Sequence, residues 1–361
     1  MAAIFSRRCR TVLTLSVLTL GWMGCNSDGP TGVPTPDLTT EGKPSGGGTG
    51  GSGGTGGTKA PTFGGGATGI RASMNGSTSY FANTATLPSQ GGATEASLPN
   101  ATGDNSITSQ SLHATIVAQG DRNRSEASAS DFSVDLGTLK VTASFVMARA
   151  TVQSGRRGVT GSFVSRVENL TINGKPYAST GSFQQISITN VGYVNLNEGH
   201  FGSGYETVRA LHIMVPGQNA DIVVGEAIAG MVSGTADCSG TNDYVTGGGW
   251  MMGTPSAARA TLGVAGGRNT SGALWGHLVF NDASGSSVQG TGVTAYTVVN
   301  STTRHIEGTC DIDGSAGMYS LNLTDNGEPG TSDTFDLTLS NGYHASGALN
   351  AGNVQLHVPC R

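Results

Sequence analysis

Charge is scarce in this sequence: Asp, Glu, Lys and Arg make up 12% of its 361 residues, about half of the roughly 25% usual in a soluble domain. Lysine is especially rare, so long helical faces laced with Glu–Lys pairs are not expected. No basic run of the kind that neutralises phosphates is present, which argues against nucleic acid as a partner. The familiar catalytic signatures are missing too. There is no H-E-x-x-H, and the histidines His113, His200, His212, His277, His305, His344 and His357 are dispersed, with no two at metal-ligand spacing. His212, His277 and His357 fall within expected strands, where an outward polar face accounts for them. The G-x-S-x-G match at Gly50–Gly54 lies inside a glycine-rich tract and reflects composition, not a nucleophile elbow.

What is abundant is glycine, at 58 residues, with much Ser, Thr and Asn. Such a composition fits short strands joined by tight turns. The length suits about two domains at roughly 100–200 residues each.

The first 24 residues have the form of an export signal. Arg7, Arg8 and Arg10 precede an apolar run from Thr11 to Gly24 that is too short to span a bilayer comfortably. Removing those three from the 19 cations leaves 16 against 24 acids, a mature net charge near −8. Gly24-Cys25 resembles the bacterial lipoprotein cleavage site, at which the cysteine thiol receives a diacylglycerol and becomes the new amino terminus. Trp22 and Met23 depart from the usual leucine and small residue of that site, and ordinary signal cleavage is the alternative. Asn26 after the cysteine directs enteric lipoproteins to the outer membrane, so the resemblance implies an exported envelope protein held to the membrane by lipid. Residues 25–66 are Gly, Thr, Ser and Pro with almost no large apolar side chain. This stretch cannot bury enough surface to order itself. As a flexible tether of about 40 residues it would reach roughly 35 Å and, fully extended, about 140 Å.

Beyond the tether the hydrophobic period becomes two. Leu139–Phe145, Phe183–Ile188, Val191–Leu196, Val208–Val215 and Ile222–Ile228 alternate in the first half. Trp250–Met252, Ala258–Val264, Leu274–Phe280, Val293–Val299, Tyr319–Leu323, Phe335–Leu339 and Val354–Val358 do so in the second. The expectation is an all-β protein of two tandem antiparallel β-sandwich-like modules, 67–236 and 240–358, divided near Thr235–Asn242. Each exceeds 100 residues, enough for its own core.

Several long strings carry a resemblance. LTINGKPY (Leu170–Tyr177), VGYVNLNE (Val191–Glu198) and VRALHIMVPG with ADIVVGEAIAGM (Val208–Met231) make the first module similar to the choice-of-anchor P family. YVTGGGWM, TPSAARATLGVAGG, GALWGHLVFND, GTGVTAYTVVN, DNGEPGTSDTFDL and SNGYHASGALNAGNVQLH make the second resemble the post-COAP domain that commonly follows it. The resemblance covers nearly all of the chain after the tether. It implies surface attachment and supplies no activity.

Four features are candidates for chemistry. The acidic loop Asp325–Asp333 offers Asp325, Glu328 and Asp333 as Ca²⁺ ligands. It competes with a plain tight turn in which Asn326-Gly327 and Pro329-Gly330 supply the dihedrals and Asp325 bonds local N–H groups. Glu328 and Asp333 are also a conceivable acid/base pair. Gly247–Gly249 lack the Lys-Ser/Thr of a phosphate loop, and glycines within a strand more often mark a bulge or close backbone approach. Trp250, Trp275, Tyr296 and Tyr343 are either a glycan-binding platform or core. Finally, if Cys25 is acylated, Cys238, Cys310 and Cys360 remain, an odd number. Cys310–Cys360 is the expected disulfide, with Cys238–Cys360 as competitor.

These readings point to a non-enzymatic surface or adhesion module binding glycan, protein or envelope matrix. A glycan-acting hydrolase with two carboxylates about 5–10 Å apart and a purely structural spacer are the alternatives.

Overall fold

The computed structural model describes residues 59–103, 106–239, 242–269 and 271–360. The signal segment, Cys25 and the tether up to residue 58 lie outside the described residues. In chain order the first strands are β1 (Thr62–Met74), β2 (Ser77–Asn83), β3 (Gly92–Gly103), β4 (Ile107–Gln119), β5 (Arg122–Asp135), β6 (Lys140–Gly155) and β7 (Gly158–Glu168). The short β8 (Leu170–Ile172), β9 (Lys175–Tyr177) and β10 (Gln184–Ile188) follow, then β11 (Gly192–Gly202), β12 (Tyr205–Val215) and β13 (Ala220–Val232). The remainder comprises β14 (Tyr244–Met251), β15 (Ala260–Arg268), β16 (Leu274–Asp282), β17 (Ser287–Val298) and β18 (Thr303–Ile312). Last come β19 (Ser315–Thr324), β20 (Thr334–Leu339), β21 (His344–Ala348) and β22 (Ala351–His357). The protein is all-β, as the period-two alternation and the scarcity of lysine predict.

These strands form three antiparallel sheets. One of six strands runs β10-β11-β12-β13-β1-β2; one of seven runs β3-β4-β5-β6-β8-β9, with β7 also pairing β6. The third holds nine strands in the order β21-β20-β19-β18-β17-β16-β15-β14-β22 and is built wholly from the second half of the chain. The described residues form one compact unit.

The seven-stranded sheet is the middle layer. Along β4, Leu112, Ala114 and Ile116 join a core with Ile70 of β1, Val208 and Ile213 of β12 and Val224 of β13. The intervening Ser111, His113 and Thr115 are buried as well, as are Glu126, Ser128 and Ser130 on β5. This second, polar face lies against β14 and β15 of the nine-stranded sheet. Two glycines let the backbones meet: a Cβ on Gly248 would stand 2.5 Å from Ser128 Oγ, and one on Gly263 would stand 2.8 Å from His113 Cβ. The glycines of β14 therefore serve close backbone approach. A separate core inside the nine-stranded sheet contains Leu262, Phe280, Leu321, Leu323, Phe335 and Leu337.

Two expectations are corrected here. The disulfide joins Cys238 to Cys360, with a Cα–Cα distance of 5.5 Å, and Cys310 is a buried free thiol on β18. The reason is topological. Terminal strand β22 returns to pair with β14, placing His357 opposite Tyr244, so the cysteines just beyond these strands meet. Cys310 points into the core of the nine-stranded sheet. The second correction concerns the strand histidines. His212 and His357 are buried and His277 is half-buried; the His212 ring is bracketed by Glu198 at 3.0 Å and Asp221 at 3.3 Å, and His357 bonds Thr246.

Candidate functional site

Strand β5 begins Arg122-Asn123-Arg124-Ser125-Glu126. Alternate residues of a strand share a face, so Arg122, Arg124 and Glu126 project together. The antiparallel register sets them opposite Gln153, Thr151 and Arg149 of β6. On the other side of β6, β7 places Ser162 opposite Thr151, Val164 opposite Arg149 and Arg166 opposite Met147. The loop between β19 and β20 closes the row with Glu328 and Pro329. The result is a cleft of about 390 Å³ lined by four arginines, Arg122, Arg124, Arg149 and Arg166.

Arg149 is the deepest of the four, at 4% exposure. Its Nε donates to Glu126 Oε2 at 2.7 Å and its Nη1 donates to Glu328 Oε1. Its Nη2 is buried and has no hydrogen-bond partner among the described residues. Burial opposes charge on this guanidinium, but Glu126 and Glu328 outweigh it and hold the proton more firmly than usual. For Arg124 the same two carboxylates help but are outweighed. Its Nε donates to Thr151 Oγ1 at 3.3 Å, and burial with the nearby charges of Arg149 and Arg122 pushes its pKa down to about 10. Arg166 Nη2 donates to the Pro329 carbonyl at 2.9 Å. Beside the cleft, His357 is kept neutral, first by burial and then by Arg124, Arg149 and Arg122. Its Nε2 lies 2.8 Å from Thr246 Oγ1.

The acidic loop is a brace for this cleft and not a calcium site. Asp325 Oδ2 accepts from the Leu356 N–H at 2.9 Å and its Oδ1 from the Gly327 N–H at 2.9 Å. Asp333 is fully buried and accepts from the N–H groups of Asn326, at 2.8 Å, and Val354, at 2.7 Å. Glu328 turns away to Arg149. Asp325, Glu328 and Asp333 thus face separate donors, and no group of three or more His, Cys, Asp or Glu side chains able to hold a metal exists among the described residues. Positive N–H dipoles occupy the oxygens a cation would need. Burial pushes Asp333 up to about 6 despite its two backbone bonds. It is also separated in role from Glu328, which is half exposed.

The four aromatics do not form a common platform. Trp250 lies under the Arg259 guanidinium, 4.5 Å from ring centroid to Cζ. Trp275 meets Tyr244 edge-on at 5.6 Å. Tyr296 is buried against Asp243, and Tyr343 packs on Phe280 while donating to Asp282 at 2.8 Å.

A second polar cluster sits where β3 meets β16. Ser97 Oγ is 2.9 Å from His113 Nδ1 and donates weakly to Glu95 Oε2 at 3.4 Å. Burial raises Glu95 to about 7; burial and His277 lower His113 to about 3. The hydroxyl lies between acid and imidazole, whereas a nucleophilic triad needs the imidazole between acid and hydroxyl.

No protein-family model matches the sequence, and no curated protein matches it. Among solved structures, a kievitone hydratase from Nectria haematococca aligns with 75% of this chain and 90% of its own, at 10% identity and a TM-score of 0.20. So slight a likeness bears on neither fold nor chemistry.

The arginine cleft is not apparent from sequence composition. Its one local sign is the spacing of Arg122, Arg124 and Glu126 in a strand. Arg149, Arg166 and Glu328 join only through register and a loop more than 150 residues away.

Proposed function

We propose that this protein is an exported, lipid-anchored envelope protein of the choice-of-anchor type, whose folded part binds an anionic ligand without chemical turnover. The single observation that carries the binding reading is the surplus of cationic charge in one cleft. Four guanidiniums converge with only Glu126 and Glu328 to balance them, in a chain whose net charge is −5. Partly buried, incompletely paired cations cost stability, so their retention together in an open cleft is explained by a ligand that completes them. Arginine forks suit carboxylates, sulfates and phosphates. The volume suits a ligand of one or two sugar rings. The Arg7–Cys25 segment and the glycine-rich tether support display of the cleft away from a membrane.

Affinity electrophoresis tests the binding reading. Acidic polysaccharides cast in the gel should retard the protein and neutral ones should not. The double variant Arg122→Gln/Arg124→Gln should migrate alike in both. Equal migration of the unaltered protein in every gel would remove the reading.

A further inference from the structure

Arg149 already holds a carboxylate that does not belong to its own sheet. Glu328 arrives from the loop between β19 and β20, is half exposed, and bonds a guanidinium that is almost wholly buried. The loop is pinned at both ends, by Asp325 to the Leu356 N–H and by Asp333 to the Val354 N–H. The backbone is held at the tip too, where Arg166 Nη2 donates to the Pro329 carbonyl at 2.9 Å and Gly330 lies against Gly352 and Asn353, but the Glu328 side chain is half exposed and can rotate toward solvent. Glu328 can therefore withdraw while the loop stays attached.

Resting on the anion-binding reading, we infer that the ligand is a hexuronate unit of an acidic glycan, whose carboxylate replaces that of Glu328 on Arg149. The replacement would be two-pronged. Glu328 uses Nη1 of Arg149, whereas Nη2 is buried without a partner. A free carboxylate can span both nitrogens, a geometry Arg favours. Around that point stand Thr151, Ser162 and Gln153, neutral donors and acceptors matched to ring hydroxyls. Glu126 stays bonded to Nε at 2.7 Å, so an incoming planar carboxylate meets the remaining Nη1–Nη2 edge.

Glu328 is then an internal competitor. Affinity for a ligand is reduced by the fraction of molecules in which the site is already occupied. The test is calorimetric titration of the full chain with tetrasaccharides of galacturonate, mannuronate and glucuronate, a carrageenan-derived sulfated tetrasaccharide, and maltotetraose. At least one uronate series binds and maltotetraose does not. Glu328→Ala tightens uronate binding by about threefold or more, and Arg124→Gln weakens it by about tenfold. Arg122→Gln, at the more open end of the row, gives the same direction should Arg124→Gln fail to fold. Binding of the sulfated tetrasaccharide alone, lost in the arginine variants, would overturn the uronate inference and leave the anion reading standing. No binding of any acidic tetrasaccharide would overturn both. Uronate binding that Glu328→Ala weakens or leaves unchanged would overturn the displacement of Glu328.

Discussion

Glu328 and Arg149, 179 residues apart in sequence, form an ion pair that ties a loop of the nine-stranded sheet to the middle sheet. Arg149 also bonds buried Glu126. The two carboxylates are not equivalent. Glu126 has 5% of its side chain exposed and Glu328 has 53%, so water can replace Arg149 for one and not the other.

Stability should report this asymmetry. Arg149→Met strands Glu126 in a buried site and should cost about 3–5 kcal/mol. Glu328→Gln, whose partner keeps Glu126, should change stability by no more than about 1 kcal/mol. Urea denaturation of the two variants checks both values.

The disulfide closes the second half of the chain upon itself. With its cysteines 122 positions apart in sequence, losing it in Cys360→Ser should destabilise by about 4–5 kcal/mol in the chain-entropy description, or somewhat less in practice. Peptide mapping without reduction should recover Cys238 joined to Cys360. Cys310 should react with iodoacetamide only after unfolding, as its burial requires.

The glycines between the layers should resist substitution. Gly263→Ala would bring a methyl group within 2.8 Å of His113 Cβ and 3.0 Å of Val279 Cγ2. Overpacking of this kind costs about 1–3 kcal/mol. Gly342→Ala serves as a contrast, since nothing lies within 4 Å there; its positive φ of +87° makes any loss one of backbone strain alone. Thermal denaturation should show a loss of packing cooperativity for the first variant only.

The cluster at Glu95 and His113 makes stability depend on pH in two opposed ways. Burial raises Glu95 from 4.5 to about 7. The folded state then holds this proton more tightly than the unfolded state, and its contribution declines as pH rises from about 4.5 to 7. Burial, aided by His277, lowers His113 from 6.5 to about 3. The unfolded state then binds that proton more readily, and stability falls as pH drops below about 6.5. Glu95→Gln should flatten the neutral-side decline and leave the acid-side loss in place. Denaturant midpoints measured from pH 3.5 to 8 decide it; an unchanged profile would refute the assignment.

Much of the architecture is legible in the sequence because the second half keeps large apolar residues at every other position. Tyr319–Leu323 and Phe335–Leu339 lie within β19 and β20. The early strands are harder to read. β3, GATEASLPNATG, and much of β5, with Ser125 to Ser130, carry small residues on both faces, so alternation in hydrophobicity is faint. The burial of β5 on both sides, and the partial burial of edge strand β3, depend on sheets contributed by distant segments. The candidate cleft is obscure for the same reason. Arg122, Arg124 and Glu126 share a strand, but Arg149 comes opposite Glu126 only through the β5–β6 register. The acidic loop looks like a cation site in sequence because nothing local reveals that the backbone of β22 and the side chain of Arg149 consume its oxygens.

Arginine footprinting tests the central claim, that this cleft is the anion site. The full chain would be labelled with phenylglyoxal, alone and with saturating sodium polygalacturonate or dextran sulfate, and the modified peptides quantified by mass spectrometry. At least one polymer should shield Arg122, Arg124 and Arg166 while the exposed Arg156 and Arg157 continue to react. Equal labelling of all five with and without either polymer, or shielding that favours Arg156 and Arg157, would contradict it.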